Sequence, residues 1–402
     1  RAFLVVMDSV GIGGAPDADR FFNGDVPDTG SNTVLNIAKA CASGLANQGR
    51  HGPLNLPTLT KLGLGNALQA ASGEMAPNLP LVSGATWAAA TEKSLGKDTP
   101  SGHWELAGLT VPWDWHCFPK TQPSFPSEVT DAVCRAAGVS AILGNCHASG
   151  TEIIQDLGQR HVETGWPICY TSIDSVFQIA AHETHFGLER LYDLCAAIEP
   201  MLHEMKVGRV LARPFIGDQE TGWKRTSNRR DFAIEPPRPV LTNYLQNAGV
   251  HTRAIGKIGD IFSMQGIDKV LKGSDSTLMT HLSTEVALAE GGSFIFANFV
   301  EFDSRFGHRR DIAGYARALE WFDQEIGQIL PQLKANDLMI FTADHGNDPS
   351  WIGTDHTRER VPVLCATKPS NPLGHIGFED VAKLVLCHLN IAHPAVEDQN
   401  AV

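Results

Sequence analysis

"LMIFTADHGNDPSWIGTDH" runs from Leu338 to His356. It opens on four apolar residues, and the fifteen that follow hold three aspartates, two histidines and two glycines. A short apolar run without polar alternation suits a strand buried on both faces. The aspartates and histidines then fall in the turn beyond that strand's end. So many potential metal ligands in one turn point to a metal centre on the edge of a sheet.

The same arrangement recurs along the chain. "AFLVVMDSVGIGG" (Ala2–Gly14) is an apolar run that ends at Asp8. "FIFANFVEFDSRFGH" (Phe294–His308) is followed by Asp303 and His308, and "VPVLCATKP" starts at Val361. Helical patterns lie between these runs. The clearest places Ile312, Tyr315, Ala316, Leu319, Phe322, Ile326 and Ile329 on one face, with Asp311 as the N-cap. Strand–helix alternation of this kind predicts an α/β fold, a sheet with helices on both faces. In such sheets ligands gather beyond the carboxyl ends of the strands.

From about Trp113 to Glu235 the text changes. Helical stretches such as "GTEIIQDLGQRHVET" and "GLERLYDLCAAIEPMLHEM" are mixed with short strands, "AILGNC", "PICYTS", "VFQIAA" and "VLARPF". Proline-containing stretches, "VPWDWHCFPKTQPSFP" and "EPPRP", bracket the segment. This reads as a smaller α/β domain at 113–235, inserted into a core made of 1–112 and 236–402. No internal repeat or low-complexity tract interrupts either part.

With 402 residues, 43% of them hydrophobic, the chain can bury a sizeable core. A net charge of −13 argues against a general nucleic-acid binder, which needs a basic face. It also means that an anionic substrate would require locally concentrated positive charge. Eight cysteines at 41, 117, 134, 146, 169, 195, 365 and 387 form no CxxC pair. They read as reduced, mostly buried thiols of a cytoplasmic protein. The apolar run before Asp8 is too short for a signal peptide or a membrane span. The oligomeric state is not legible in the sequence.

Asp8, Asp303, His308, Asp344, His345 and His356 therefore form the candidate ligand set. Taken singly, Asp8 reads as a turn or cap residue and His356 as a surface histidine. The occurrence of all six at strand ends is what favours a metal centre. Mixed oxygen and nitrogen donors suit Mn²⁺, Zn²⁺ or Fe²⁺ better than Ca²⁺. A nucleophile is offered by "GKDTPSGHWELAG" (Gly96–Gly108), where Thr99 follows Asp98. The bland reading of "DTPSG" is an N-capping turn. The functional one is a hydroxyl that ligates metal and attacks phosphorus, beside helix amides that favour phosphate.

With these segments in order, the chain resembles the phosphopentomutases of the alkaline phosphatase superfamily over nearly its full length. The most specific stretches are "GKDTPSGHWE", "YTSIDSVFQIAAHE", "GRVLARPFIGD", "RTSNRRDFA", "GHRRDIAGYA" and "TADHGNDPSWIGTDHTRERVPVL". The resemblance implies two Mn²⁺ per chain, one on Asp8, Asp344 and His345, the other on Asp303, His308 and His356. It implies that Thr99 is phosphorylated in the active enzyme. It also implies that Ser172, Asp174 and Val176 hold the sugar phosphate, and that Arg209 or Arg213, with Arg225 and Lys257, meets its distal phosphate. The implied reaction interconverts (2-deoxy)ribose 1-phosphate and 5-phosphate through a 1,5-bisphosphate. A sugar bisphosphate, glucose 1,6-bisphosphate or ribose 1,5-bisphosphate, is the expected activator. The rivals are a cofactor-independent phosphoglycerate mutase, for which a serine nucleophile is expected, a metal-dependent phosphatase, and a catalytically silent metal-stabilised protein. "DVPDTGSNTVLNI" and "WDWHCFP" depart from the commoner family text, and neither touches an implied ligand.

Overall fold

The computed structural model describes residues 1–172, 174–366 and 371–392. Ile173 and the end of the run "VPVLCATKP", from Thr367, lie outside the described residues. The chain divides into two compact units, Arg1–Pro112 with Pro236–Val402, and Trp113–Glu235.

The first unit is built on an eight-stranded sheet. Its order is Lys269–Leu271, His251–Ile255, Ser293–Phe299, Ala2–Met7, Leu338–Thr342, Val361–Ala366, Thr86–Thr91 and Gly374–Gly377. Every residue of Ala2–Met7, Ser293–Phe299 and Leu338–Thr342 is buried. Successive side chains of a strand point to opposite faces, so full burial requires cover on both. The pairings are parallel except that Val361–Ala366 runs antiparallel to both its neighbours. That reversal places the segment before Val361 on the same edge as the carboxyl ends of the parallel strands. His356 therefore enters the site by preceding a strand, whereas the aspartates follow one.

The helix Ile312–Ile329 forms where the apolar spacing predicts it, and Asp311 caps it by accepting from the Gly314 N–H at 2.8 Å. Asp275 opens another helix, Asp275–Leu288. Its Oδ2 accepts from the Glu301 N–H at 3.1 Å, and its buried Oδ1 has no partner. Burial, with the charge of Glu301 alongside, pushes this carboxyl from 3.8 up to about 7. The folded chain therefore holds a proton that the unfolded chain releases near pH 4. The stability contributed at low pH is lost as pH rises from about 4 to about 7. Asp275→Asn is expected to flatten that decline, by on the order of a few kcal/mol between pH 5 and pH 8. Urea midpoints of both proteins at the two pH values check it, and equal slopes would remove Asp275 as the cause.

The second unit has its own six-stranded sheet. Arg230–Ala233, Arg209–Asp218, Val176–His182, Ile168–Thr171 and Leu143–His147 are in order, with Gly222–Arg225 also paired to Arg209–Asp218. Alternation along its strands separates two apolar clusters. Cys169, Phe177, Ile179 and Ala181 pack with the helices Ser127–Ala137 and Leu188–Glu204. Ile168, Tyr170, Ala180 and Phe215 pack with the helix Glu152–Thr164.

No helix among the described residues is long and apolar enough to cross a membrane. All eight cysteines are free, but only Cys41, Cys169, Cys195 and Cys365 are buried, and Cys117 and Cys387 are exposed. The expectation of mostly buried thiols is corrected to half.

Candidate functional site

Three chain segments converge on one edge of the first unit's sheet. Asp8 follows Met7, Asp344 and His345 follow Thr342, and Asp303 lies in the wide π-helical turn Phe302–Gly307. His308 closes that turn. The ligand atoms of Asp303, His308 and His356 lie within 4.8 Å of one another, as do those of Asp8, Asp303 and His345. Asp344 belongs to the same cluster, with its Oδ2 3.3 Å from His345 Nε2. His356 Nε2 stands 3.2 Å from His308 Nε2 and 3.4 Å from Asp303 Oδ1.

The imidazoles are oriented from behind. His308 Nδ1 donates to the Thr354 carbonyl at 2.6 Å and His345 Nδ1 to the Gly346 carbonyl at 3.1 Å. With Nδ1 carrying the hydrogen, each Nε2 presents its lone pair to the cluster, the usual arrangement of a ligating histidine. Two Nε2 atoms facing each other at 3.2 Å make sense when both lone pairs share a cation.

The electrostatics fit the same group. Burial, reinforced by Asp344 and Asp303, pushes the Asp8 carboxyl well above the usual range. Burial also pushes His345 down to about 4, so its ring is neutral and able to ligate at ordinary pH. Asp303 is buried too, yet His356 and His308 hold it well below the usual range. Asp8 Oδ1 and Asp344 Oδ2 are buried without a hydrogen-bond partner. An orphaned carboxylate oxygen in such a place is costly unless something cationic meets it. Three carboxylates and three imidazoles thus form a donor set suited to two divalent cations.

The helix Thr99–Leu106 brings Thr99, the candidate nucleophile, to the cluster. Asp98 takes the capping role, accepting from the Ser101 N–H at 3.0 Å. That leaves the Thr99 hydroxyl free of capping, and its Oγ1 lies 3.3 Å from His345 Nε2. Gly102 lets the helix dock this closely, since a Cβ there would stand 2.0 Å from the Asp344 carbonyl oxygen. Gly102→Ala should push the helix off the centre and strip turnover by on the order of 100-fold, as small misplacements of reacting groups do. Steady-state rates with retained folding check this, and a near wild-type rate would mean the backbone yields elsewhere.

The remaining predicted residues divide between the units. Lys257 follows the strand His251–Ile255 in the first unit, and its charge acts to lower the Asp8 pKa. In the second unit, Ser172 and Asp174 precede the strand Val176–His182, and Val176 pairs in register with Arg209. Arg209 lies 3.8 Å from Asp174. Arg213 donates from Nε to Gln178 at 3.0 Å, and burial with Arg229 and Arg225 nearby pushes it down to about 10. Arg225 ends the edge strand Gly222–Arg225.

Several residues of the site are absent from the sequence-based set. Asn347 donates to Asp303 Oδ1 at 2.7 Å, and Ser9 donates its N–H to Asp344 Oδ1 at 3.1 Å. Ser9 does so at φ 69, a left-handed backbone that a non-glycine residue adopts at some cost. Arg358 is fully buried and grips the loop ahead of Thr99. It donates to Glu92 Oε2 at 2.6 Å, to the Glu92 carbonyl at 2.9 Å and to the Gly96 carbonyl at 2.5 Å. A polar residue close to each ligand in sequence was the available signal for Asn347 and Ser9.

The chain is 51% identical over 396 residues to a phosphopentomutase of a Chelativorans species, covering 97% of this chain and 95% of that protein. It is 50% identical over 401 residues to the phosphopentomutase of Rhizobium leguminosarum bv. trifolii, covering 97% of each. A phosphopentomutase of Methylorubrum extorquens is 50% identical over 402 residues, again covering 97% of each. The metalloenzyme superfamily matches residues 1–392. On that match and at those identities over almost the whole length, the chain belongs to the metalloenzyme superfamily and, within it, to the phosphopentomutases.

Proposed function

We propose that this isomerase interconverts (2-deoxy)ribose 1-phosphate and (2-deoxy)ribose 5-phosphate through a phosphothreonine at Thr99. The observation that carries this reading is the Thr99 hydroxyl 3.3 Å from His345 Nε2, inside a buried cluster of carboxylates and imidazoles. A purely structural metal centre has no use for a hydroxyl aimed at it.

In this reading Asp8, Asp344 and His345 hold one Mn²⁺, and Asp303, His308 and His356 hold the other. Bound there, the pair would stabilise charge on the oxygens of in-line phosphoryl transfer and lower the pKa of the Thr99 hydroxyl. The phosphoryl group on Thr99 Oγ1 passes to the free sugar hydroxyl: the Oγ1–P bond breaks, a new O–P bond forms, and the sugar hydroxyl's proton ends on the released Thr99 Oγ1. The 1,5-bisphosphate then reorients and returns its other phosphoryl group to Thr99. The amides that open the helix Thr99–Leu106 favour the phosphate next to them. Activity also requires priming of bare Thr99, which a sugar bisphosphate such as glucose 1,6-bisphosphate or ribose 1,5-bisphosphate supplies.

The inserted unit holds the non-reacting end of the substrate and excludes water that would intercept the phosphoenzyme. Asp174, Arg209, Ser172 and Val176 form its sugar-facing end. We assign the phosphate contact to Arg209 over Arg213, because Arg209 stands beside Asp174 while Arg213 is committed to Gln178. Arg225 and Lys257 add charge for the distal phosphate. The local cations and arginines answer the problem of an anionic substrate on a chain of net charge −13.

Turnover of ribose 1-phosphate against 3-phosphoglycerate tests the reaction. The pentose phosphate is expected to turn over and the glycerate to be inert; the reverse would sink this reading. A weakened distal grip should release the bisphosphate before it reorients, leaving enzyme without its phosphoryl group. Arg225→Ala is therefore expected to need on the order of ten-fold more bisphosphate activator for half-maximal rate. An unchanged requirement with only a raised KM would confine Arg225 to ground-state binding.

A further inference from the structure

His103 and Asn298 are fully buried beside the centre, and neither has a part in the reaction as described above. His103 sits one turn after Thr99 on the same helix, and Asn298 lies in the strand Ser293–Phe299. Asn298 Nδ2 donates to Asp8 Oδ2 at 2.8 Å and stands 3.1 Å from His103 Nε2. An amide NH₂ only donates, so His103 Nε2 is the acceptor and the ring hydrogen is on Nδ1. Nδ1 faces two acceptors, the Thr99 carbonyl at 2.9 Å and Asp344 Oδ2 at 3.1 Å. Hydrogen bonds run from Asp8 through Asn298 and His103 to the Thr99 carbonyl, with Asp344 Oδ2 in close contact at the histidine.

We propose that His103 and Asn298 are a positioning pair, which fixes Asp8 and Asp344 at the separation one cation needs and ties both to the helix carrying Thr99. Asn298 supplies a second observation. Its Oδ1 is buried without a partner, a cost that an apolar residue of the same shape would remove. A side chain kept at that cost serves the centre more than the fold. Outer partners of this kind commonly govern metal affinity by 10–100-fold.

The inference rests on the two-cation reading above, and one titration separates the two. Mn²⁺ binding by equilibrium dialysis is measured on the metal-free wild type, Asn298→Leu and His103→Gln, with thermal melts alongside. Asn298→Leu removes the amide at nearly constant volume. His103→Gln keeps an acceptor for Asn298 but releases Asp344 and Thr99. Wild type is expected to bind two ions. Each variant should weaken one of them by about 10–100-fold and keep the other. Equal affinities for both ions in all three proteins would overturn the positioning pair while leaving the two-cation reading standing. Fewer than two ions on the wild type would overturn both. A variant that melts lower yet binds both ions as wild type does would mean the pair serves only the fold, which also overturns the proposal.

Discussion

Thr99→Ala is expected to bind two Mn²⁺, melt close to wild type and lose turnover by on the order of 10⁴-fold or more. Metal binding is expected to survive because the six proposed ligand side chains do not include Thr99. Folding survives because Asp98, not Thr99, caps the helix. What disappears is the atom that carries the phosphoryl group between the two half-reactions. Thr99→Ser keeps a hydroxyl and should recover part of the rate, less the packing of the lost methyl group. Intact mass after incubation with a sugar 1,6-bisphosphate reads the same point directly: wild type gains one phosphoryl group and the alanine variant none. An alanine variant that turns over near the wild-type rate would rule out a phosphothreonine.

The second large effect is expected at Asp303. Its carboxylate belongs to both groups of convergent ligand atoms, with His308 and His356 on one side and Asp8 and His345 on the other. Most ligands here should cost one cation. His308→Ala, for example, should lose about one Mn²⁺ per chain. Asp303→Asn should lose the ion proposed to sit with His308 and His356 and also weaken the other, whose ligand atoms lie within reach of the same carboxylate. Activity should fall by on the order of 10³-fold or more, since transition-state charge then lacks its counter-charge. The amide is nearly isosteric and can still accept from Asn347, so the turn Phe302–Gly307 should hold its shape. Metal analysis separates the outcomes. One ion lost from Asp303→Asn with the other bound as tightly as in wild type, as expected for His308→Ala, would show that Asp303 has no influence beyond its own site.

Part of this arrangement is legible in the sequence because two of the apolar runs end at or beside a candidate ligand. Asp8 after "AFLVVM" and Asp344 after "LMIFTA" follow from strand length alone. His356 did not follow in the same way, since nothing in "GTDHTRERVPVL" states that Val361–Ala366 runs against its neighbours. "DTPSG" leaves capping and nucleophilic readings open on adjacent residues. The capping one holds at Asp98, while the nucleophilic one proposed for Thr99 rests on its hydroxyl lying 3.3 Å from His345 Nε2. Asn298 left a trace that went unused: it is the single polar residue within "FIFANF", a run otherwise suited to burial on both faces. A polar side chain in such a place needs a partner, but sequence does not say which distant residue provides it. Arg358 was hidden for the same reason, since its grip on Glu92 and Gly96 joins segments more than 250 residues apart.

The strand Ala2–Met7 lies mid-sheet, between Ser293–Phe299 and Leu338–Thr342. During synthesis both its neighbours emerge only after almost 300 further residues have followed it. At about 5–20 residues per second it waits on the order of 15–60 seconds without its partners. Meanwhile Trp113–Glu235, with a sheet and apolar clusters of its own, is already complete. Asp8 can meet His356 only after almost 350 further residues have been made, so chains stalled before that point should bind no pair of cations. They should instead depend on chaperones to keep the waiting strand from pairing with other chains.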